Sequence, residues 1–169
     1  PLPTHAYSLS LAAFQDAGLA AIQAEGLAGL RPDLLFITVT VRVSGRVFHR
    51  ILVWPATDSG AAEELRVSLA ETLSDEDSAL WIVRVTPLAF TLGDYESREA
   101  ADRRAEEDAV VWLAPYVFEV GASDRPSFRV FAGAYADSAE ASVVHVQFRE
   151  LGEEPPELVR RVGRYVSRP

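Results

Sequence analysis

The sequence contains no cysteine, no lysine, no methionine and no asparagine. Without cysteine there is no disulfide framework and no thiolate metal site, and the redox compartment is left open. Without lysine there is no phosphate-loop lysine, and neither a glycine-rich phosphate loop nor a serine-nucleophile motif occurs. No physical requirement of a fold excludes lysine, methionine and asparagine together; the codon bias of a GC-rich genome is sufficient. Long apolar runs are also missing, so the chain shows no signal peptide and no membrane-spanning segment. The lack of an initiator methionine leads to the expectation that the chain is trimmed or starts mid-gene. Any membrane anchor would then lie upstream of Pro1. The 16 arginines are outnumbered by 25 acidic residues, a net charge of −9. Without a basic run to offset it, that balance repels nucleic acid.

What is present is enough apolar material for a core, 49% of 169 residues, and a repeated pattern. The stretch Phe128 to Ala141, FRVFAGAYADSAEA, reads as a strand, a tight connection and a helix. Asp137 and Glu140 have capping-box spacing, in which each side chain satisfies a free amide at a helix start. The same unit occurs earlier: Arg50 to Ala62 aligns without a gap on Arg129 to Ala141, 79 residues on, with Asp58 matching Asp137. Tyr7 to Phe14 likewise lies over Leu88 to Tyr95, 81 residues on. The chain therefore reads as an internal duplication.

Taken in order, strands are expected over His5–Ala12, Leu34–Val43, Val47–Trp54 and Leu80–Val85, with helices over Asp16–Leu30 and Asp58–Leu73. Ser74 to Ser78 reads as an acidic loop. The second half has strands over Leu88–Gly93, Tyr116–Val120, Phe128–Ala132 and Leu158–Val162, helices over Ser97–Val110 and Asp137–Leu151, and a tail from Gly163. Each half is then βαββαβ. The expectation is α+β: two tandem ferredoxin-like domains, 1–86 and 87–169, each a four-stranded antiparallel sheet with two helices on one face. Thr86-Pro87 is too short a linker for independent tumbling, so a fixed orientation is expected.

The residues that resemble a known family are Leu92-Gly-Asp-Tyr95 followed by Ser97-Arg-Glu-Ala-Ala101, and Phe128-Arg-Val-Phe-Ala-Gly-Ala-Tyr135 followed by Asp137-Ser-Ala-Glu-Ala141. They are similar to the two halves of a SPOR domain, with a strand, a glycine, an aromatic and an alanine near the helix start. The resemblance covers Leu88 to about Gly163. The first domain is more degenerate, with Ala12 and Trp54 where Gly93 and Gly133 stand. The resemblance implies a non-enzymatic bacterial envelope module, periplasmic and often membrane-anchored, that binds peptidoglycan glycan strands stripped of stem peptides. It implies binding on the open sheet face. Where the family's first strand often carries an outward glutamine, this chain has Thr91, with Ser10 as its repeat partner.

Strand alternation selects the residues of that face. If Phe128, Val130 and Ala132 pack on the helices, Arg129 and Phe131 point away, joined by Thr91 and Glu119. The first-domain equivalents are Ser10, Arg50 and Leu52, with Thr38 and Thr40 nearby. An aromatic beside arginine and hydroxyls suits a sugar. Two readings stay open here: these residues bind a glycan or a protein partner, or Phe131 and Leu52 are buried where the domains meet. The alternative function is an accessory or scaffold subunit of a larger envelope or membrane complex.

Other polar features have plainer readings. Asp58 and Asp137 cap helices. His5, His49 and His145 lack a second ligand at metal spacing, so no metal and no cofactor is expected. Arg160-Arg161 and Arg164 form a basic cluster read as balancing Glu150, Glu153 and Glu154. The same topology serves RNA-recognition modules, which need a basic sheet that this composition does not supply.

Overall fold

The computed structural model of the chain describes residues 2–54, 56–73, 76–108 and 110–165. Strand β1 (Tyr7–Phe14), helix α1 (Ala17–Leu30), strands β2 (Leu35–Val43) and β3 (Arg46–Trp54), helix α2 (Ser59–Leu73) and strand β4 (Ile82–Val85) make the first half. The second half repeats this order with β5 (Leu88–Tyr95), α3 (Arg98–Ala105), β6 (Tyr116–Glu119), β7 (Phe128–Tyr135), α4 (Ser138–Glu150) and β8 (Leu158–Arg160), then adds β9 (Arg164–Tyr165). The fold is α+β, with four helices among the described residues and two antiparallel sheets, ordered β2-β3-β1-β4 and β8-β5-β7-β6-β9.

Three differences from expectation stand out, two with local causes and one set by a distant partner. Helix α3 stops at Ala105 rather than Val110, because Glu106 and Glu107 follow and acidic groups at a helix C-terminus oppose its dipole. Strand β7 continues past Ala132 to Tyr135, since Gly133, at φ +76°, lets the ladder with β5 bulge and resume at Leu88↔Tyr135. The tail does not trail off: Arg164 and Tyr165 pair with Glu119 and Phe118, so the second sheet has five strands rather than four. Ser74 and Asp75 of the expected acidic loop lie outside the described residues.

One junction recurs four times. Asp16, Asp58, Ser97 and Asp137 each accept a hydrogen bond from the amide three residues on, at 2.9, 2.8, 3.1 and 3.0 Å. Four residues after each cap stands an alanine, and Ala20, Ala62, Ala101 and Ala141 are all fully buried. The cap satisfies an orphan amide, and the alanine lets the first helical turn sit close to the sheet. Glu140 completes the last cap by accepting from the amide of Ala136 at 2.9 Å, one residue earlier than a capping box would have it.

The two faces of the first sheet pack differently. Leu9, Ile51 and Val53 lie in clusters with Ala24 and Leu27 of α1 and with Leu65 and Leu69 of α2. Ile37, Val39, Val41, Leu52 and Trp54 belong instead to one core shared with the second half. Helix α4 packs against β2, and Arg50 on β3 pairs with Glu140 at its first turn, 3.1 Å apart. The first sheet therefore has no open face there. Thr38 and Thr40 do not share that face either: they pair with Ile51 and His49, on the α1 side.

Candidate functional site

The second sheet carries most of the residues proposed for a binding face. Tyr116 pairs with Phe131, Phe118 with Arg129, and Thr91 with Phe131, so all five share one face, as strand alternation requires. Arg129 lies 5.9 Å from the centroid of the Phe131 ring, on that same face. Alternation thus assigns the sides of Thr91, Arg129 and Phe131 correctly, but Glu119 does not join them: it pairs with Phe128 and, next to Phe118 on its strand, lies on the opposite face. Alternation does not say what lies above the shared face. Phe131 is 0% exposed, in a row with Tyr116 and Phe118 at ring-centroid distances of 5.9 and 5.5 Å.

The cover is a strap made of both ends of the chain. After β8 at one edge of the sheet, residues 161–163 cross to β9 at the opposite edge. Gly163 sits where a Cβ would meet the Phe118 Cβ at 2.9 Å, so only a residue without a side chain fits the crossing. The N-terminal segment runs alongside. The His5 amide donates to the Arg161 carbonyl at 2.8 Å, the Gly163 amide donates to the Pro3 carbonyl at 3.0 Å, and Thr4 bridges Val162. The His5 ring rests on Phe118 at 4.7 Å and its Nε2 donates to the Gly163 carbonyl at 2.7 Å. From the first half, Trp54 reaches Tyr116 at 5.4 Å.

Arg161 is the knot of this strap. It is fully buried, and its guanidinium stacks 3.7 Å from the Trp54 ring centroid. Its Nε donates to the Thr86 carbonyl at 2.9 Å, and Nη2 donates to the Thr86 hydroxyl at 3.1 Å. No carboxylate pairs with it among the described residues, and burial pushes its pKa down to about 10. It remains charged at neutral pH, held by carbonyls, a hydroxyl and an aromatic face. The basic cluster is therefore not a counterweight to Glu150, Glu153 and Glu154: Arg161 is buried, and Arg164 pairs with Glu119 at 2.7 Å. A tryptophan at the position of the repeat's glycine was the one sequence signal that something different happens here.

The seven nominated residues divide accordingly. Ser10, Arg50, Leu52 and Phe131 are buried, Arg50 against Glu140. Glu119 is committed to Arg164. Arg129 donates two bonds to Asp94, at 2.7 and 2.8 Å, which hold the Asp94 carboxyl below the usual carboxylate range. Thr91, half-buried beside this pair, completes a narrow polar strip at the accessible end of the face.

Asp58 and Asp137 are occupied as caps, and among the described residues no three metal-capable side chains converge. A cleft of about 490 Å³ lies between the halves and is lined by Pro32, Leu34, Leu35, Arg98, Asp102 and Tyr165, among others; Arg98 and Asp102 already pair at 3.0 Å. What the surface does offer is apolar area on α1, where Leu19, Ile22 and Leu30 are 57, 69 and 62% exposed. Comparison with protein-family models, with curated proteins and with solved structures finds no match for the chain in any of the three.

Proposed function

We propose that the chain is a non-enzymatic envelope module that makes protein contacts, built from two tandem ferredoxin-like, SPOR-like units. The observation that carries this reading is the closure of both sheet faces. Leu52 and Phe131, the apolar centres of the two candidate faces, are 1 and 0% exposed, while α1 presents bare apolar surface outward. A buried face takes no sugar, and an exposed apolar helix calls for a partner. The strand order, with its two central strands flanked by β2 and β4 and by β6 and β8, is compatible with the ferredoxin-like arrangement and supports that part of the reading. The envelope assignment rests on the glycine, tyrosine and alanine spacing of the second half.

A second reading keeps the glycan. Its support is the strip of Thr91, Asp94 and Arg129, which stays partly accessible and has the hydroxyl, carboxylate and guanidinium that bind sugar hydroxyls. Co-sedimentation with peptidoglycan sacculi, before and after amidase removal of stem peptides, separates the two. The protein-contact reading expects the chain in the supernatant with both preparations. It also expects a photo-crosslinker at Ile22, unlike one at Arg125, to yield a discrete protein adduct in cells. Pelleting that rises after amidase and is lost in Arg129→Glu would replace it with the glycan reading.

A further inference from the structure

A 14-residue helix whose outer side is as apolar as its inner side is expected to be buried, yet α1 is a surface helix. Its buried side is Ala20, Ala24 and Leu27; its solvent side carries Leu19, Ile22, Gly26 and Leu30, and Glu25 is the only charge in it. Nothing lies within 4 Å of a Cβ built at Gly26, so a partner backbone has room to approach closely there. Helix α2 runs beside it. Arg31, at the C-cap of α1, donates to Thr72 of α2 at 3.0 Å. Between the two helices lies a pocket of about 170 Å³, with Leu11 and Ile51 in its lining, Gln23 and Leu27 contributed by α1, and Leu73 and Trp81 from the other side.

The outward stripe of α2 has the opposite character. Glu63, Glu64 and Glu71 stand at helical spacing around exposed Val67. Among the described residues the cation bound to them is Arg66, which pairs with Glu63. An apolar ridge, a pocket the size of a large side chain and an acidic ridge thus lie side by side. We propose that this α1–α2 face docks a basic amphipathic helix of a partner protein. The partner's apolar stripe would lie on Leu19, Ile22 and Gly26, with one large apolar side chain in the pocket and lysine or arginine against Glu63, Glu64 and Glu71. Charge complementarity selects this occupant. An anionic lipid surface is repelled by the glutamates. A second copy would bring its own acidic ridge against the first. The inference rests on the protein-contact reading above and names the chemistry of the partner. Sacculus sedimentation reports on the second sheet and this face on the first, so the two fail separately.

The test is fluorescence anisotropy of a labelled leucine/lysine peptide, about five turns long, titrated with the full chain. A leucine/glutamate peptide of the same apolar spacing serves as control. The expected result is saturable binding of the first peptide only. That binding weakens at least tenfold in Leu19→Ser/Ile22→Ser and at least tenfold in Glu63→Gln/Glu64→Gln/Glu71→Gln. It stays within twofold in Glu99→Gln/Glu153→Gln/Glu154→Gln, which removes the same charge from the other half. All substituted side chains are exposed, and unchanged thermal melts would verify the folds. Absence of binding, equal weakening by both glutamine triples, or indifference to Leu19 and Ile22 would overturn the proposal. So would self-association abolished by Ile22→Ser, which assigns the face to a second copy, or Ile22-dependent flotation with phosphatidylcholine vesicles, which assigns it to lipid.

Discussion

The two halves share their strand-to-helix junctions and differ in how they use their sheets. All four junctions keep a side-chain cap and a buried alanine, because each solves the same local problem of unpaired amides and close helix approach. The sheets answer different demands. The first lays both of its own helices on one face and gives the other face to α4 of its neighbour. The second has its far face crossed by the two ends of the chain and plugged by Trp54. Duplicated units close to the lower size limit for an independent core gain from burying each other's faces. Local junction chemistry is thus maintained in each copy, while face chemistry follows whatever packs on it.

The largest test of this comparison is truncation at the centre of each covered face. Phe131→Ala is expected to cost about 3–5 kcal/mol and Leu52→Ala about 2–5 kcal/mol in denaturant unfolding, the range for buried large-to-small changes. If the two faces were open, each change would cost well under 1 kcal/mol on the ordinary surface scale and would act on binding instead. A second-sheet variant with that behaviour would break the symmetry of closure.

The next test contrasts the two glycines that the second half has and the first half lacks. Gly93 and Gly133 both have positive φ, so alanine at either costs roughly 1–2 kcal/mol in backbone strain. Their surroundings differ. A Cβ at Gly93 meets the hydroxyl end of half-buried Tyr95 at 2.9 Å, and that ring can swing aside. At Gly133 it meets the ring of fully buried Tyr135 at 2.3 Å, and overpacking adds a further cost of about 1–3 kcal/mol. Gly133→Ala is therefore expected to melt well below Gly93→Ala. Equal melting temperatures would mean that Tyr135 is as free to move as Tyr95.

Local and periodic signals made the order of elements legible in the sequence. Alternation placed Arg129 and Phe131 on one side, the repeat offset paired the halves, and the aspartates at 58 and 137 marked helix starts. Closure was not legible, because it depends on contacts between residues far apart in the chain. His5 meets Gly163, Arg50 meets Glu140 and Arg161 meets Trp54. Nothing in the vicinity of Phe131 distinguishes an aromatic awaiting a sugar from one covered by another part of the same chain. A buried arginine is also the last reading that a basic cluster suggests, since such residues are almost never enclosed unless paired. The short crossing at Gly163 was read as a tail for the same reason: its partner, Phe118, lies 45 residues earlier.

The smallest effect concerns pH and separates the strap from the first sheet. Burial, with Arg161 nearby, holds His5 below its ordinary pKa of 6.5, although its bond to Gly163 pulls the other way. The carbonyl of Gly163 only accepts, so Nε2 carries the proton and Nδ1 is bare, without a partner among the described residues. Protonating Nδ1 would bury a charge that has no acceptor. The folded state thus binds fewer protons than the unfolded state from pH 6.5 down to the folded-state pKa. The stability that neutral His5 preserves is complete above pH 6.5 and falls as pH drops through that window. His49, half-buried on the first sheet and bonded to Thr40, is also lowered by burial, with Asp16 opposing. Unfolding free energy measured from pH 7.5 to 5 is expected to decline, with a shallower decline in His5→Gln, which removes the titrating group. Hydrogen exchange at residues 161–163 is expected to quicken over the same range in the wild-type chain, while β2 and β3 stay protected. An unchanged slope in His5→Gln, together with early exchange in β3, would move the pH-sensitive element to His49 and to the first sheet. The strap would then be the more rigid of the two covers.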